Sequence, residues 1–380
     1  NLNLALSGGT NNSDYAFSAS KLVQESVIQG QLERTNLTSN VGFEILKGLK
    51  FRSVTQLVFT DNTANPFAGG GAEGGLLSAA FYTWPFADFT AKDAGGNYLY
   101  KFGGAGTNAS NPLYQQQFQK YRSKTIDVIP SVNLNYSVNK VLELDYKLGL
   151  NYSFNNFERN TLNQTLTDSY GYNSAYYVGN TPDGQMQKSA TRQYNINSLA
   201  TAIVKLNFQE DLNTNLPITT TTQVSFDWRK SNFNRSYLTY SGLPVGVPID
   251  EITGAQASST ASSEYLDEFI TYGYLLNHRF EFKDVAAISG GFRSDYSSVF
   301  GEASKPFTFP RADAYLRLSK LNFWESLTNV LPEFKLRVAY GQAGIQPVWY
   351  DAKQTGPQQN WASPAPNHYL RITTLQAGTA

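Results

Sequence analysis

The sequence predicts an all-β protein, an antiparallel transmembrane β-barrel, and three observations support that prediction. One segment alternates apolar and polar residues at every position from Leu142 to Asn155. The connections between predicted strands alternate between short and long. Aromatic residues make up 14% of the 380 residues, with 24 Tyr and 24 Phe beside a single Met, an excess typical of strands and of the belts at membrane surfaces.

The alternating segment is tall for a strand. Its apolar positions recur with a period of two over thirteen residues, from Leu142 to Phe154, whereas a typical strand has about 5 to 6 residues. A strand of this length would therefore cover an apolar region thicker than the core of an ordinary soluble domain. We expect one set of side chains to face lipid and the set between them to face the lumen. The first set is Leu144, Tyr146, Leu148 and Leu150, and the second is Asp145, Lys147 and Gly149.

Eleven further segments repeat this pattern, so the sequence predicts twelve strands. They begin near Leu2, Tyr15, Leu37, Leu49, Ile126, Tyr194, Ile218, Tyr272, Ala286, Ala312 and Phe334. Pro130 falls within the segment that begins at Ile126. Because proline cannot donate a hydrogen bond to a strand ladder, we expect a bulge or an irregularity at that position.

The connections between these segments differ in length on the two sides of the predicted sheet. Short turns near Gly8, Lys47, Asn139, Asp211 and Lys283 are interleaved with long segments at 61–121, 156–192 and 230–266. Short turns on one side and long loops on the other are typical of outer-membrane barrels. The connection after Leu318 is a partial exception, because residues 322–331 are expected to form a short amphipathic helix at the membrane edge.

A soluble all-β protein is the alternative, since an antiparallel sheet can also have one wet face. It is disfavoured because loops above about 12 to 15 residues are uncommon in compact domains. No apolar run is long enough for a membrane helix, so a chain that resides in the membrane has to do so as a barrel.

The composition excludes several classes of function. Thirty basic residues balance thirty acidic residues, so no net charge attracts the chain to nucleic acid. The absence of cysteine removes disulfides, thiolate metal sites and cysteine nucleophiles. Only His278 and His368 are present, which argues against a multi-histidine metal site and leaves a Ser-His-Asp triad to recruit one of them. We expect that the protein is not an enzyme and that it binds no cofactor.

Three ordered motifs near the end of the chain carry a family resemblance. They are ISGGFRSDYSSVFG at 288–301, FTFPR at 307–311 and FKLRVAYGQAG at 334–344. Here the sequence resembles the SusC/RagA branch of TonB-dependent transporters, as do LALSGGT at 4–10, YAFS at 15–18 and ERTNL at 33–37. Tyr296, Val299 and Arg311 depart from the family pattern, which usually has Gly, Arg and Ser at these positions.

The resemblance implies a 22-stranded barrel in the bacterial outer membrane, filled by an N-terminal plug. Such barrels import oligosaccharides or peptides with energy from the TonB complex, and a SusD-like surface lipoprotein usually caps them. Residues 1–344 would then be a partial barrel without its plug, and 345–380 a loop or unassigned continuation. We expect this piece alone to leave unpaired strand edges and to aggregate. A passive porin and, less favoured, an outer-membrane enzyme remain the alternatives.

Two groups of residues are candidates for ligand or partner binding. Aromatic residues in the longest connection could stack on sugars or grip a partner, or could pack the loop onto the barrel wall. They are Tyr82, Trp84, Phe86 and Phe89, between glycine-rich stretches at 69–75 and 103–106. Arg293 and Asp295 could touch substrate, although an ion pair and an Asx-type turn at a hairpin tip are favoured.

Other polar features predict little chemistry. The glycine run at 69–75 is not followed by the Lys-Ser/Thr of a phosphate-binding loop. Asp61-Asn62 and Asn155-Asn156 leave loop-bound calcium open, but solvated turns are the favoured interpretation. His278 lies among apolar positions, so we interpret it as a wall residue.

Overall fold

A computed structural model of the chain describes residues 1–26, 30–63, 88–99, 111–166, 182–248, 251–298 and 306–344, and the backbone at 349–350 and 366–367. Within these residues, twelve strands form one sheet in which each strand pairs antiparallel with its neighbour in sequence. The predicted number of strands and their antiparallel order are confirmed. The helices in the described residues are short, and none of them is long and apolar enough to cross a membrane.

The sheet consists of strands β1 (Leu2–Gly9), β2 (Ser13–Glu25), β3 (Gln31–Leu46), β4 (Leu49–Asn62), β5 (Gln119–Ser137), β6 (Leu142–Thr161), β7 (Gln185–Asn207), β8 (Ile218–Ser241), β9 (Ser259–Phe282), β10 (Ala286–Ser297), β11 (Phe307–Arg317) and β12 (Lys335–Gly341). Two short strands, β13 (Trp349–Tyr350) and β14 (Pro366–Asn367), pair with each other. The helices are α1 (Pro112–Phe118) and α2 (Phe208–Asp211), with 3-10 turns at Gly254–Gln256, Leu318–Lys320 and Asn322–Leu327.

The strand registers collect apolar side chains on one face of the sheet. Tyr146 pairs with Leu134 on one side and Ala200 on the other. Ala200 pairs in turn with Phe226, and Phe226 with Tyr274. Because residues directly opposite each other in a sheet share a face, these side chains form a continuous row. We call this side the apolar face and the other the polar face. The two predicted sets on β6 lie on these opposite faces.

Aromatic residues bound the exposed apolar side chains at two levels along the strands. Trp228 pairs with Tyr272, and Tyr272 pairs with Tyr296. The rings of Tyr272 and Tyr296 are stacked, with centroids 4.7 Å apart. Eight and ten residues beyond Tyr272 on β9, near the short turn, Phe280 and Phe282 are exposed on the same face. We call the strip between these two aromatic levels the apolar band.

The short turns are confirmed, and local residues explain them. Lys283 and Asp284 both adopt the left-handed conformation, with φ of 47° and 57°, as expected in a tight connection between antiparallel strands. Gly48 has a φ of 87° in the turn between β3 and β4. The Asn139 side chain accepts hydrogen bonds from the amides of Val141 (2.8 Å) and Leu142 (2.9 Å) before β6 begins.

The long connections are shorter than predicted, because several strands continue well beyond the apolar band. β8 runs to Ser241 and β9 begins at Ser259, so their connection is 242–258 rather than 230–266. Likewise, the connection between β6 and β7 is 162–184 rather than 156–192. Past the band both faces carry polar residues, so the alternation that identifies a strand disappears. The Tyr, Phe and Thr content of these segments still favours extended structure.

Pro130 interrupts one ladder without shifting it. Between β5 and β6, Val128 pairs with Tyr152 and Ser131 with Gly149, which is the same register, while Ile129 and Pro130 have no partners there. On its other side Pro130 pairs with Thr55. The predicted irregularity is therefore a gap in hydrogen bonding and not a bulge, as expected for a residue without an amide hydrogen.

The connection between β11 and β12 is a pair of 3-10 turns rather than a continuous amphipathic helix. The ring of Trp324 stacks on Phe334 at 5.1 Å, and its Nε1 donates to the Leu331 carbonyl (3.0 Å). This fixes the connection against the start of β12. Phe323 and Val330 remain exposed, so the segment still presents an apolar surface at the turn side of the sheet.

A small hydrophobic core forms at the opposite end, among the long connections. Tyr114 and Phe118 of α1 pack together with Leu162. Met186, Leu243 and Ile252 form an adjoining cluster, which Leu162 also contacts. The Tyr114 hydroxyl donates to Gln164 Oε1 (3.0 Å), and both side chains are fully buried. We call these two clusters the loop-side core.

Candidate binding cleft on the polar face

Two arginines and two aspartates form a hydrogen-bonded cluster on the polar face. Arg293 Nε donates to both carboxylate oxygens of Asp295 (2.7 and 2.8 Å), and its Nη2 donates to Asp227 Oδ2 (3.0 Å). Arg229 contacts the same Asp227, with Nη2 to Oδ2 at 2.8 Å and Nε to Oδ1 at 3.2 Å. Asp227 is therefore shared by two guanidinium groups.

Strand register and a glycine bring these residues together. Asp227 of β8 pairs with Gly273 of β9, and Gly273 pairs with Asp295 of β10. A Cβ atom added at Gly273 would lie 2.2 Å from Asp295 Oδ1. The missing side chain thus leaves space above the central strand for the Asp295 carboxylate, which accepts from the same Arg293 side chain that also reaches Asp227. Glycine within a strand commonly marks such a close approach.

The cluster combines a buried acid with exposed bases. The Asp227 side chain is 8% exposed, whereas those of Arg229 and Arg293 are 55% and 38% exposed. A buried carboxylate is costly unless cations and hydrogen bonds compensate it, and the two guanidinium groups supply both. Arg229 keeps more than half of its side chain open to solvent while still bonded to Asp227, so it can offer further donors to a ligand.

Arg229, Arg293 and Asp295 of this cluster line a cleft of about 960 Å³ on the polar face. Phe307, Phe309 and Arg311 of β11 form another part of its lining. The Phe309 ring packs against the backbone of Gly344, where an added Cβ would lie 2.4 Å from the ring. The volume is within the range of about 300 to 1,000 Å³ that ligand pockets occupy.

Arg311 differs from the other two arginines in this cleft. Its side chain is exposed, and among the residues that the structure describes it has no hydrogen-bond or ion-pair partner. Four cationic side chains therefore line the cleft, those of Arg229, Lys230, Arg293 and Arg311, and the carboxylates of Asp227, Asp295 and Glu268 contact the first three of them. One positive charge is left without a counterpart within the described part of the chain.

The cleft lies at the loop-side limit of the apolar band. Asp295 and Gly273 are the sequence neighbours of Tyr296 and Tyr272, the stacked rings that bound the band on the other face. Side chains of adjacent residues in a strand point to opposite faces. Asp295, Arg229 and the aromatic boundary are thus at about the same height on opposite sides of the sheet, and Arg311, which pairs with Gly291, lies nearer the turns.

The aromatic candidates in the longest connection are only partly described. Tyr82, Trp84 and Phe86 lie outside the described residues. Phe89 is half-buried, and its carbonyl accepts a hydrogen bond from Asn111 Nδ2 (2.9 Å), which ties it to the start of α1. Next to it, hydrogen bonds from the hydroxyl (2.6 Å) and amide (2.9 Å) of Thr90 lower the pKa of the Asp88 carboxyl.

The position predicted for Arg293 and Asp295 requires a correction. They form the expected ion pair, but within β10 and not at a hairpin tip, because β10 continues to Ser297 with both residues in its ladders. Sequence reasoning missed Asp227, Arg229 and Arg311. Two signals were present: Asp227 and Arg229 alternate with Phe226 and Trp228, and Arg311 replaces a usual serine.

The other polar candidates are accounted for locally. His278 lies on the apolar face, where Nδ1 is 2.7 Å from Thr222 Oγ1 and the ring meets Phe280 edge-on. Both carboxylate oxygens of Asp61 accept from Arg122 (3.0 and 2.6 Å). Asn155 donates to Ser123 and Thr125 (both 2.8 Å). His368 lies outside the described residues.

Solved structures with a similar fold include the RagAB peptide importer. The chain superposes on that importer in its open-open and closed-closed states with a TM-score of 0.67 and 17% identity, covering 89% of this chain and 36% of the other. A further RagAB peptide transporter structure gives a TM-score of 0.64 and 14% identity, covering 96% and 39%. The fold expected from the SusC/RagA resemblance is confirmed to the extent that this antiparallel sheet resembles that of the RagAB peptide importer.

The structural similarity covers only part of the other chains. The chain spans little more than a third of the chains it superposes on. Comparison of the sequence with protein-family models and with curated proteins finds no match.

Proposed function

We propose that this chain forms the wall and the extracellular loops of an outer-membrane barrel that actively imports a nutrient, such as an oligosaccharide or a peptide, with energy from TonB. The observation that carries the proposal is the apolar band. Twelve strands in register expose apolar side chains on one face, and aromatic residues bound the exposed strip at both ends.

The height of the band fits a lipid bilayer. Tyr272 and Phe282 are ten residues apart on β9, a distance of about 33 Å along a strand. A strand tilt of about 40° projects this to about 25 Å, the height of the apolar belt of outer-membrane barrels, which aromatic girdles flank on both sides. The apolar face would then contact lipid, and the polar face would line the lumen.

The two sides of the sheet suit the two sides of that membrane. Short turns would face the periplasm, and the long connections would face the outside. β8 continues for thirteen residues past Trp228, which would carry the loop-side core well beyond the lipid. The cleft at Arg293 would then open at the outer mouth of the lumen, where an incoming solute first meets the wall.

The proposed partners follow from the same arrangement. A SusD-like surface lipoprotein would cap the outer mouth, and the TonB complex would act through a plug domain. The likeness to the RagAB peptide importer supports a partner of this kind. The barrel would perform no covalent chemistry itself.

Energy dependence distinguishes this function from its closest alternative, a passive porin. Bacteria with and without the gene would be supplied with labelled peptides and oligosaccharides, and uptake would be measured before and after loss of TonB or of the proton gradient. We expect uptake that requires both the gene and TonB. Uptake that requires the gene but persists without TonB would identify a porin and contradict the proposal.

We propose that the aromatic group at Tyr82, Trp84, Phe86 and Phe89 contacts the capping lipoprotein or the substrate. Buried Trp and Tyr anchors in interfaces are worth about 2 kcal/mol or more, so Trp84→Ala should weaken lid association or uptake while barrel assembly is unchanged. Copurification of the lipoprotein and uptake are the measurements. If all four residues can be changed to Ala with both intact, the loop has only a structural role.

A further inference from the structure

We propose that the cleft around Arg293 selects anionic oligomers, with Arg311 as the direct partner of a ligand carboxylate and Arg229 as a second donor. The inference rests on the proposed import function for the fate of the bound solute, but binding itself can be tested separately. The proposed substrate class is an oligomer that carries carboxylates on an extended apolar or sugar framework.

The distribution of hydrogen bonds within the cleft identifies Arg311 as the direct partner. Arg293 is committed to Asp295 and Asp227 through three hydrogen bonds. Arg229 is committed only to Asp227, and its side chain is 55% exposed. Arg311 is exposed and has no partner among the described residues. A guanidinium group in that state presents its full planar fork, which matches a carboxylate with two parallel hydrogen bonds.

The fixed charges strengthen this preference. Asp227, Asp295 and Glu268 offset three of the four cationic side chains that line the cleft, which leaves one positive charge in excess. A concave site focuses the field of its charges, so this excess attracts anions more strongly than the same charge on a flat surface. Because Asp227 is buried beneath its two arginines, it offers little repulsion to a ligand above them.

Aromatic rings in the cleft indicate an organic ligand rather than a simple ion. Phe307 lies on the polar face and is 45% exposed, so it belongs neither to the apolar band nor to the loop-side core. Phe309 is held in place against Gly344. Rings of this kind pack against apolar side chains or against the carbon face of sugar rings. The volume of about 960 Å³ would hold several residues of either polymer.

Equilibrium binding to the purified full-length protein in detergent tests the inference. The probes are a labelled glutamate-rich octapeptide, a labelled tetragalacturonate, a neutral Ser/Asn octapeptide and a neutral tetrasaccharide. We expect at least one anionic probe to bind more tightly than its neutral counterpart, and Arg311→Gln to weaken that binding by about tenfold. The probe that responds shows whether the carboxylate comes from a peptide or a uronate sugar.

Arg337 supplies the matched control. It is also an exposed arginine on the polar face without a partner among the described residues, but it pairs with Tyr315, nearer the turns, and does not line the cleft. Arg337→Gln should leave affinity for the anionic probe within about twofold, since a charge outside the site acts only through the screened field. Circular dichroism and heat-modified migration on gels verify that both variants are folded.

Three results would overturn the inference. Equal losses in Arg311→Gln and Arg337→Gln would mean that only the general field attracts anions. Neutral probes that bind as tightly as anionic ones would remove the charge preference. Inorganic phosphate that displaces the probe at the same concentration as the unlabelled oligomer would indicate a simple anion site. If binding behaves as expected but uptake does not require TonB, the import proposal fails while the binding site remains.

Discussion

The loop-side core and the apolar band hold the same kinds of side chain in opposite surroundings. In the core, Tyr114, Met186 and Leu243 are at most 2% exposed. In the band, Leu148 and Phe226 are each 38% exposed and Val338 is 68% exposed. Both regions belong to the same strands and their connections. The core and the band therefore differ in what covers their apolar side chains and not in the types of residue they contain.

This difference determines which substitution damages each region. A core enclosed by protein is stabilised by close packing, so removing atoms leaves a cavity. If the band faces lipid as proposed, the surrounding lipid stabilises it, so removing a methyl group matters less there than adding a charge. Burial within the chain is consequently a poor guide to the importance of a residue in the band.

The largest effect should follow truncation in the loop-side core. Tyr114→Ala removes a fully buried ring and the hydrogen bond to Gln164, and comparable aromatic truncations cost about 3 to 5 kcal/mol. We expect the long connections to lose protection while the sheet remains inserted. Hydrogen exchange at 111–118 and 162–166, compared with β6 and β7, is the measurement. Val245→Ala, at an exposed position of the same region, is the control and should change little.

A charge in the band should have the next largest effect. Leu148→Arg would cost about 2 to 4 kcal/mol if Leu148 lies near the middle of the bilayer. Its sequence neighbour Lys147, on the polar face and paired with Asp145 at 3.3 Å, is the control. Lys147→Gln should cost at most about 1 kcal/mol. Denaturant titrations of the protein folded into vesicles compare the two variants, and equal costs would contradict the assignment of the faces.

A smaller effect is expected at the cleft, which neither close packing nor lipid covers. Gly273→Ala places a methyl group against Asp295 Oδ1, and overpacking of this kind costs about 1 to 3 kcal/mol. The larger consequence should be local, since the displaced carboxylate would release Arg293 from its fixed position. Gly290, where an added Cβ meets nothing within 4 Å, is the control position. An unchanged affinity for anionic probes in Gly273→Ala would show that the position of Arg293 does not matter.

Period-two alternation predicted the number of strands and the two faces, because it follows from backbone geometry alone. It failed where that geometry is no longer coupled to burial, as in residues 230–241 and 259–266, which are strand although neither face alternates clearly. The segments still carry strand-forming residues. Propensity without alternation was too weak a signal to extend β8 and β9.

The binding cleft could be predicted only in part, because alternation assigns a residue to a face but not to a neighbour. Arg293 and Asp295 are two positions apart in one strand, so their pairing was visible in the sequence. The contact of Arg293 with Asp227 depends on the register of three strands and on the space above Gly273. None of these is encoded in a local pattern.

The sequential strand order has a consequence for how this sheet assembles. Every described strand of the sheet pairs only with its neighbours in sequence, and the paired residues furthest apart in sequence are Leu49 and Tyr136, at the turn-side ends of the two strands that flank the longest connection. Each new strand can therefore pair, as the second arm of a hairpin, with a sheet edge that already exists. The entropy cost of loop closure is then divided over successive strand additions. The sheet would then be extended in one direction, strand by strand. An error in one register would be inherited by every strand added after it.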